Sequence, residues 1–181
     1  MKKIPTLFIR DRKTNLVINE VNPGCEWVIN GEGMATRKFD GTCCLIRDGK
    51  LYKRYDAKKG RTLPPNFEAA QEPDEITGHQ PGWLLVGDGP DDKYHRKAIA
   101  NFGHLWPLED GTYELVGPNI QGNPEDIPLN TLVRHGKIEF PDCPRDYEGL
   151  KAYLEPLASE GVVWHHPDGR MVKVKRKDFF R

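Results

Sequence analysis

Apolar positions in this chain recur mostly in steps of two. Met171–Lys175 alternates cleanly, with Val172 and Val174 on one side of an extended segment and Lys173 and Lys175 on the other. Short strand-like runs recur at Thr6–Ile9, Leu16–Val21, Glu26–Ile29, Met34–Arg37, Trp83–Val86, Tyr113–Val116, Gly161–Trp164 and Arg170–Lys175. Leu45–Tyr55 reads as a hairpin, because Asp48-Gly49 between two such runs is a strong turn signal. One segment has helical spacing: Tyr147, Leu150, Leu154 and Leu157 recur at three- and four-residue steps over Tyr147–Leu157, with Asp146 placed to cap it. Residues 61–80, rich in proline, read as a loop with room for one short helix, and Asp91–Trp106 as a polar surface stretch open to RNA. The 15 prolines and 18 glycines are scattered and favour strands and turns over long helices. The pattern predicts a strand-rich α+β domain.

With 181 residues, 37% hydrophobic and 30% charged, the expectation is one globular domain over 1–181. No run approaches the roughly 18 apolar residues of a membrane span. Ile4–Ile9 is broken by Pro5 and runs into Arg10-Asp11-Arg12-Lys13, unlike a secretory leader. Four cysteines are too few for a disulfide scaffold, so a reducing cytoplasm is the expected setting. Zinc is disfavoured as well: there is no C-x-x-C, and the neighbours Cys43 and Cys44 would point to opposite faces of a strand.

The formal net charge is zero, but its distribution is uneven. Residues 1–60 carry 13 basic and 7 acidic side chains, residues 61–130 carry 4 and 12, and residues 131–181 carry 10 and 8. Basic ends that meet in space would suit a polyanion such as a nucleotide or RNA; otherwise they are solvated faces.

Candidate chemistry begins at Lys38-Phe39-Asp40-Gly41, after the strand-like Met34–Arg37. By itself this is an ordinary turn. A nucleophilic lysine there would need nearby cations, burial or a metal to shed its proton. Lys173 and Lys175 supply a cationic row that can hold a triphosphate and ease that deprotonation, and Arg176, Lys177 and Arg181 extend the charge as solvated groups or nonspecific RNA contacts. Glu114 and Glu160 sit in apolar strand contexts, where an acid is usually paired, hydrogen-bonded or a metal ligand. Arg54 ends the hairpin.

Taken in order, the K-x-D-G lysine, Arg54, Glu114, Glu160 in Glu160-Gly161-Val162-Val163 and Lys173-Val174-Lys175 resemble motifs I, Ia, III, IV and V of the covalent nucleotidyltransferases, the superfamily of polynucleotide ligases and mRNA capping enzymes. The likeness runs from about Met34 to Lys175. Lys38–Cys44, Arg54-Tyr55-Asp56 and Glu114–Gly117 are closer still to a small RNA ligase family represented in vertebrates.

That resemblance implies a nucleotidyltransferase (ATP-grasp-like ligase) core of two antiparallel sheets with flanking helices. Because only six residues follow Lys175, it also implies no C-terminal OB-fold, which raises the question of how RNA is gripped and leaves room for a separate RNA-gripping partner. It implies an ATP-dependent RNA ligase that joins 5′-phosphate and 3′-hydroxyl ends through a lysyl-AMP intermediate on Lys38. Lys173 and Lys175 would act on the phosphates, and Arg37, Lys38, Arg54, Glu114, Glu160, Lys173 and Lys175 would bind the nucleotide. Asp40, Glu114 and Glu160 would serve Mg²⁺ or Mn²⁺, and an apolar or aromatic residue within Leu132–Phe140 would stack on adenine. A GTP-dependent guanylyltransferase of the same superfamily and a non-catalytic RNA-binding module are the alternatives.

Overall fold

The computed structural model describes residues 1–180, so Arg181 lies outside the described residues. In chain order the strands and helices are β1 (Phe8–Arg10), β2 (Val17–Val21), α1 (Glu26–Ile29), β3 (Met34–Lys38), β4 (Thr42–Arg47), β5 (Lys50–Ala57), β6 (Glu68–Ala69) and β7 (Gln80–Leu85). They continue with α2 (Lys93–Phe102), β8 (Gly111–Val116), β9 (Thr131–Arg134), α3 (Tyr147–Leu154), β10 (Gly161–His165), β11 (Met171–Lys175) and α4 (Arg176–Phe179). The fold is α+β with antiparallel sheets, and the chain divides into two compact units: residues 1–3 with 40–134, and residues 4–39 with 135–181.

The first unit is built on a six-stranded sheet in the order β6-β7-β5-β4-β8-β9. Its β4–β5 hairpin turns at Asp48 (φ 52°) and Gly49 (φ 70°), the left-handed pair that the Asp-Gly sequence calls for. One face carries Cys44, Ile46, Tyr113 and Leu115 into a core closed by α2, whose Tyr94, Ala98, Ile99 and Phe102 lie on its inner side. This helix corrects the reading of Asp91–Trp106 as a polar surface stretch. Its four apolar residues share one helical face, and His95 is buried with them. The short helix allowed for in 61–80 is instead a turn, in which the Asp74 carboxylate accepts from the Ile76 and Thr77 amides.

The second unit holds a three-stranded sheet, β11-β10-β3, and the β1–β2 pair. The central strand β10 is apolar almost throughout and buried at Gly161, Val162, Val163 and Trp164, as a strand covered on both faces should be. Val162, Trp164, Val172, Val174 and Ala35 form one core face with Leu7, Phe8, Leu150 and Leu154. The segment ahead of β1 joins the sheet edge: Lys173 donates its amide to the Pro5 carbonyl and accepts from the Leu7 amide. Asp146 caps α3 by accepting from the Gly149 amide at 2.8 Å, and the helix ends at Leu154, one turn short of Leu157.

Glu26–Ile29 is a helical turn, not the expected strand. Gly24 (φ 84°) turns the chain, and the neighbours Trp27 and Val28 both enter the core while Ile29 stays exposed. Alternation would have buried every second residue, so tertiary burial overrides the β-branched composition.

Candidate active site

In the second unit, β3 and β11 flank β10 in register. Gly161 is opposite Lys38 on one side and Lys175 on the other, and Val163 is opposite Thr36 and Lys173. Directly opposed residues share a face, so Lys38, Lys173 and Lys175 project together, away from the valine core. The alternation read in Met171–Lys175 is borne out: Val172 and Val174 are buried, and both lysines are half-buried on the other side.

The backbones carrying Lys38 and Lys175 are two strand spacings apart, about 10 Å. Their ammonium groups nevertheless converge. Lys38 Nζ donates to Glu160 Oε2, and Lys175 Nζ to Glu160 Oε1. Glu160 sits just before β10, and three contacts hold it there. The Ser159 hydroxyl donates to the Lys38 carbonyl at 3.0 Å or to the Gly161 carbonyl at 3.1 Å, and the Arg176 amide donates to the Glu160 carbonyl at 2.9 Å. Gly161 must be glycine, because a Cβ there would lie 2.2 Å from the Val174 carbonyl oxygen.

Burial alone would raise the Glu160 carboxyl, but the Lys38 and Lys175 ammonium groups outweigh it and the net direction is down. Lys173 goes the other way. Burial, with Lys175 and Lys38 beside it, pushes its ammonium down to about 8. The ammonium makes no hydrogen bond or ion pair with any described residue.

Asp178, absent from the sequence reading, is almost wholly buried. It accepts from the Lys175 amide at 2.8 Å and from the Arg10 guanidinium, and so fixes the end of β11. Its place three residues after Lys175 was the available signal; nothing in the sequence singled out Arg10. Arg37 lies on the opposite face of β3 from Lys38, donating to the Ala158 carbonyl at 3.2 Å and stacking over Phe39 at 4.7 Å.

The other predicted residues belong to the first unit. Glu114 of β8 is paired with Cys43 of β4, and the next strand, β5, carries Arg54 on that same face, away from α2. Arg54 packs over the Trp83 ring at 5.3 Å and donates to the Met1 carbonyl. The turn before β4 gathers carboxylates. The Asp40 amide donates to Glu125 Oε1 at 2.9 Å, and the Gly41 amide to Glu114 Oε1 at 3.2 Å. A Cβ on Gly41 would fall 2.2 Å from the Leu115 carbonyl oxygen. Glu125 was missed because it lies in a loop with no recognisable spacing.

Of the acids expected to serve a metal, Asp40 and Glu114 belong to this unit, and carboxylate oxygens suit a hard, hydrated cation such as Mg²⁺ or Mn²⁺. Glu160 fits such an ion poorly, because both its oxygens are engaged by ammonium groups. Leu132 is buried in the first unit's core and Phe140 packs against the second unit's core; no feature of that stretch marks an adenine stacker. No helix among the described residues is long and apolar enough to cross a membrane.

Known proteins resemble this chain in two ways, through a family match and through individual relatives. Residues 98–180 match the family described as RNA ligase 1. The chain is 26% identical over 215 aligned positions to RNA ligase 1 of Mus musculus, covering 79% of this chain and 65% of that protein. It is 25% identical over 214 positions to RNA ligase 1 of Danio rerio, covering 78% of this chain and 66% of that protein. The chain thus spans just under two thirds of the length of these relatives.

Proposed function

We propose that this chain, which is related to the RNA ligases, is the nucleotide-transfer core of an ATP-dependent RNA ligase with Lys38 as its nucleophile. The observation that carries the reading is the convergence of Lys38 and Lys175 on Glu160, beside a Lys173 with no acceptor of its own. A surface row of lysines would point apart into water. These are drawn inward and held in register.

The chemistry follows from that placement. The Lys38 amine, once deprotonated, attacks the α-phosphorus of ATP. A P–N bond forms and the P–O bond to pyrophosphate breaks, leaving lysyl-AMP. Glu160 Oε2 accepts a hydrogen bond from the Lys38 ammonium and so fixes the side chain beside Lys175 before the nucleotide arrives. Lys173 and Lys175 bind the phosphate oxygens whose charge grows during transfer. An RNA 5′-phosphate then takes the AMP, and an RNA 3′-hydroxyl displaces it to seal the strand. Arg54 and Glu114 are the candidates for holding the nucleoside. A Mg²⁺ or Mn²⁺ served by Asp40 and Glu114 would neutralise phosphate charge.

The test is transfer of label from α-³²P-ATP to protein, read after denaturation. Wild type should become labelled and release AMP to 5′-phosphorylated RNA, and Lys38→Ala should lose the label entirely. Labelling of the Lys38→Ala protein would overturn the assignment. Labelling from GTP alone would make the chain a guanylyltransferase, and no label from either nucleotide would leave an RNA-binding module.

A further inference from the structure

The second unit contains a cleft of about 660 Å³ between the N-terminal loop and the corner where β11 passes into α4. Four cations line it, Arg10, Lys173, Lys175 and Lys177, with Asp178 as the one acid and Phe180 as the aromatic wall. The acid is already committed: Asp178 holds Arg10 and the Lys175 amide. Lys175 is committed to Glu160. The positive charge of Lys173 and Lys177 is therefore unbalanced, and Lys173 lacks an acceptor although most of its side chain is out of water.

The cleft is also built in advance. Asp11 ties its own loop together, accepting from the Thr14 amide at 2.9 Å and the Thr14 hydroxyl at 2.7 Å, and Asn15 turns the chain at φ 61°. Arg10 is fixed from two sides, with one Nη donating to the Asn15 carbonyl and the other to Asp178. A guanidinium carries five N–H donors. Those left over are held in place, so little rotamer entropy is lost when an anion arrives. Fixed cations along a groove, next to an aromatic ring, are the ingredients of a single-strand nucleic-acid track.

We propose that this cleft binds the phosphate backbone of the RNA strand, with Arg10 and Lys177 as phosphate contacts and Phe180 as a base platform, leading to the phosphate-binding lysines Lys173 and Lys175. The proposal rests on the ligase reading for its choice of RNA. It gives the chain an RNA grip of its own and turns Lys177 from a solvated or nonspecific contact into a placed one.

Arg10→Ala, Lys177→Glu and Phe180→Ala serve as variants, tested for binding of a fluorescent 5′-phosphorylated single-stranded RNA across a salt series. Adenylation by ATP without RNA is read on the same samples. Lys177 is exposed and pairs with no described acid, so Lys177→Glu keeps the proposal testable even if Arg10→Ala unfolds. Removing one phosphate contact should lower the slope of log affinity against log salt by about 0.7, and affinity about fivefold at 0.1 M salt. Lys177→Glu should exceed that, because it reverses a charge.

RNA affinity that falls while adenylation persists supports the cleft. Unchanged RNA affinity overturns it. A loss confined to adenylation also overturns it, and assigns the cleft to the β- and γ-phosphates of the nucleotide. A wild-type protein that binds RNA through these residues yet never labels with ATP would uphold the cleft while the ligase reading fails.

Discussion

Glu160 and Glu114 pose the same physical problem in the two units, and the contacts that meet them differ. Both are carboxylates in strand surroundings that are otherwise apolar, and both are nearly withdrawn from solvent. Glu160 is neutralised by charge, with an ammonium on each oxygen. Glu114 is met by the backbone, through the Gly41 amide, on a sheet face it shares with Cys43 and Arg54. An acid in an apolar strand is thus a signal that something has been arranged around it, but not a signal of what.

The most severe way to break this contrast is to replace each acid with its amide. In Glu160→Gln the side-chain NH₂ must face an ammonium group, so both lysines lose their carboxylate and one is left half-buried without an acceptor. The expected loss is about 3 kcal/mol, the low end for a broken buried pair because Lys38 and Lys175 keep about a fifth of their surface in water. Glu114→Gln keeps the oxygen that the Gly41 amide needs and should lose less than about 1 kcal/mol. Urea unfolding midpoints measure both. Equal losses would mean that the two acids are held alike.

Glycines provide a milder test, because each acid has one packed beside it. Gly41→Ala places a methyl against the Leu115 carbonyl, and Gly161→Ala against that of Val174, each at 2.2 Å. Both should lose about 2 kcal/mol through overpacking. The consequences for chemistry should differ. Gly161 lies between Lys38 and Lys175, so its alanine variant should label poorly with ATP even where it remains folded. A Gly161→Ala protein that labels at the wild-type rate would show that the row does not depend on close strand approach.

Much of this was legible in the sequence, and the exceptions have physical reasons. Alternation in Met171–Lys175, the Asp-Gly turn and the Asp146 cap are local rules with single solutions, and they stand. The α2 helix carried its signal at Tyr94, Ala98 and Phe102, but the charged residues between them masked the period. Glu26–Ile29 misled because a four-residue run cannot separate a strand from one helical turn. At the site, the order of motifs picked out Lys38, Glu160, Lys173 and Lys175, which the fold gathers. It did not reveal which lysine would lack a partner, because that depends on the strand register and on where one carboxylate turns. Arg10 and Glu125 were invisible for the same reason, since their contacts are long-range, whereas Asp178 offered only its spacing from Lys175.

The smallest expected effect is also the one in which the two units differ in sign. Lys173 has a folded value near 8, against about 10.4 when unfolded. Between those values the unfolded chain binds more protons, so this group's unfavourable contribution, full below pH 8, fades as pH rises to 10.4. Cys44, in the first unit's core, is pushed well above 9 by burial, so the folded state keeps a thiol proton that the unfolded chain gives up. Its contribution makes stability fall as pH rises past 9. Urea midpoints taken from pH 7.5 to 10.5 should therefore respond oppositely to two substitutions. Lys173→Met should remove an upward slope between pH 8 and 10.4, and Cys44→Ala should remove a downward one above 9. Saturating inorganic phosphate should flatten the Lys173 slope in wild type by returning the proton to an ammonium that now has an anion beside it. If the wild-type and Lys173→Met profiles run parallel, with phosphate and without, Lys173 is solvated like any surface lysine, and the unmet charge in the second unit is not there to bind phosphate.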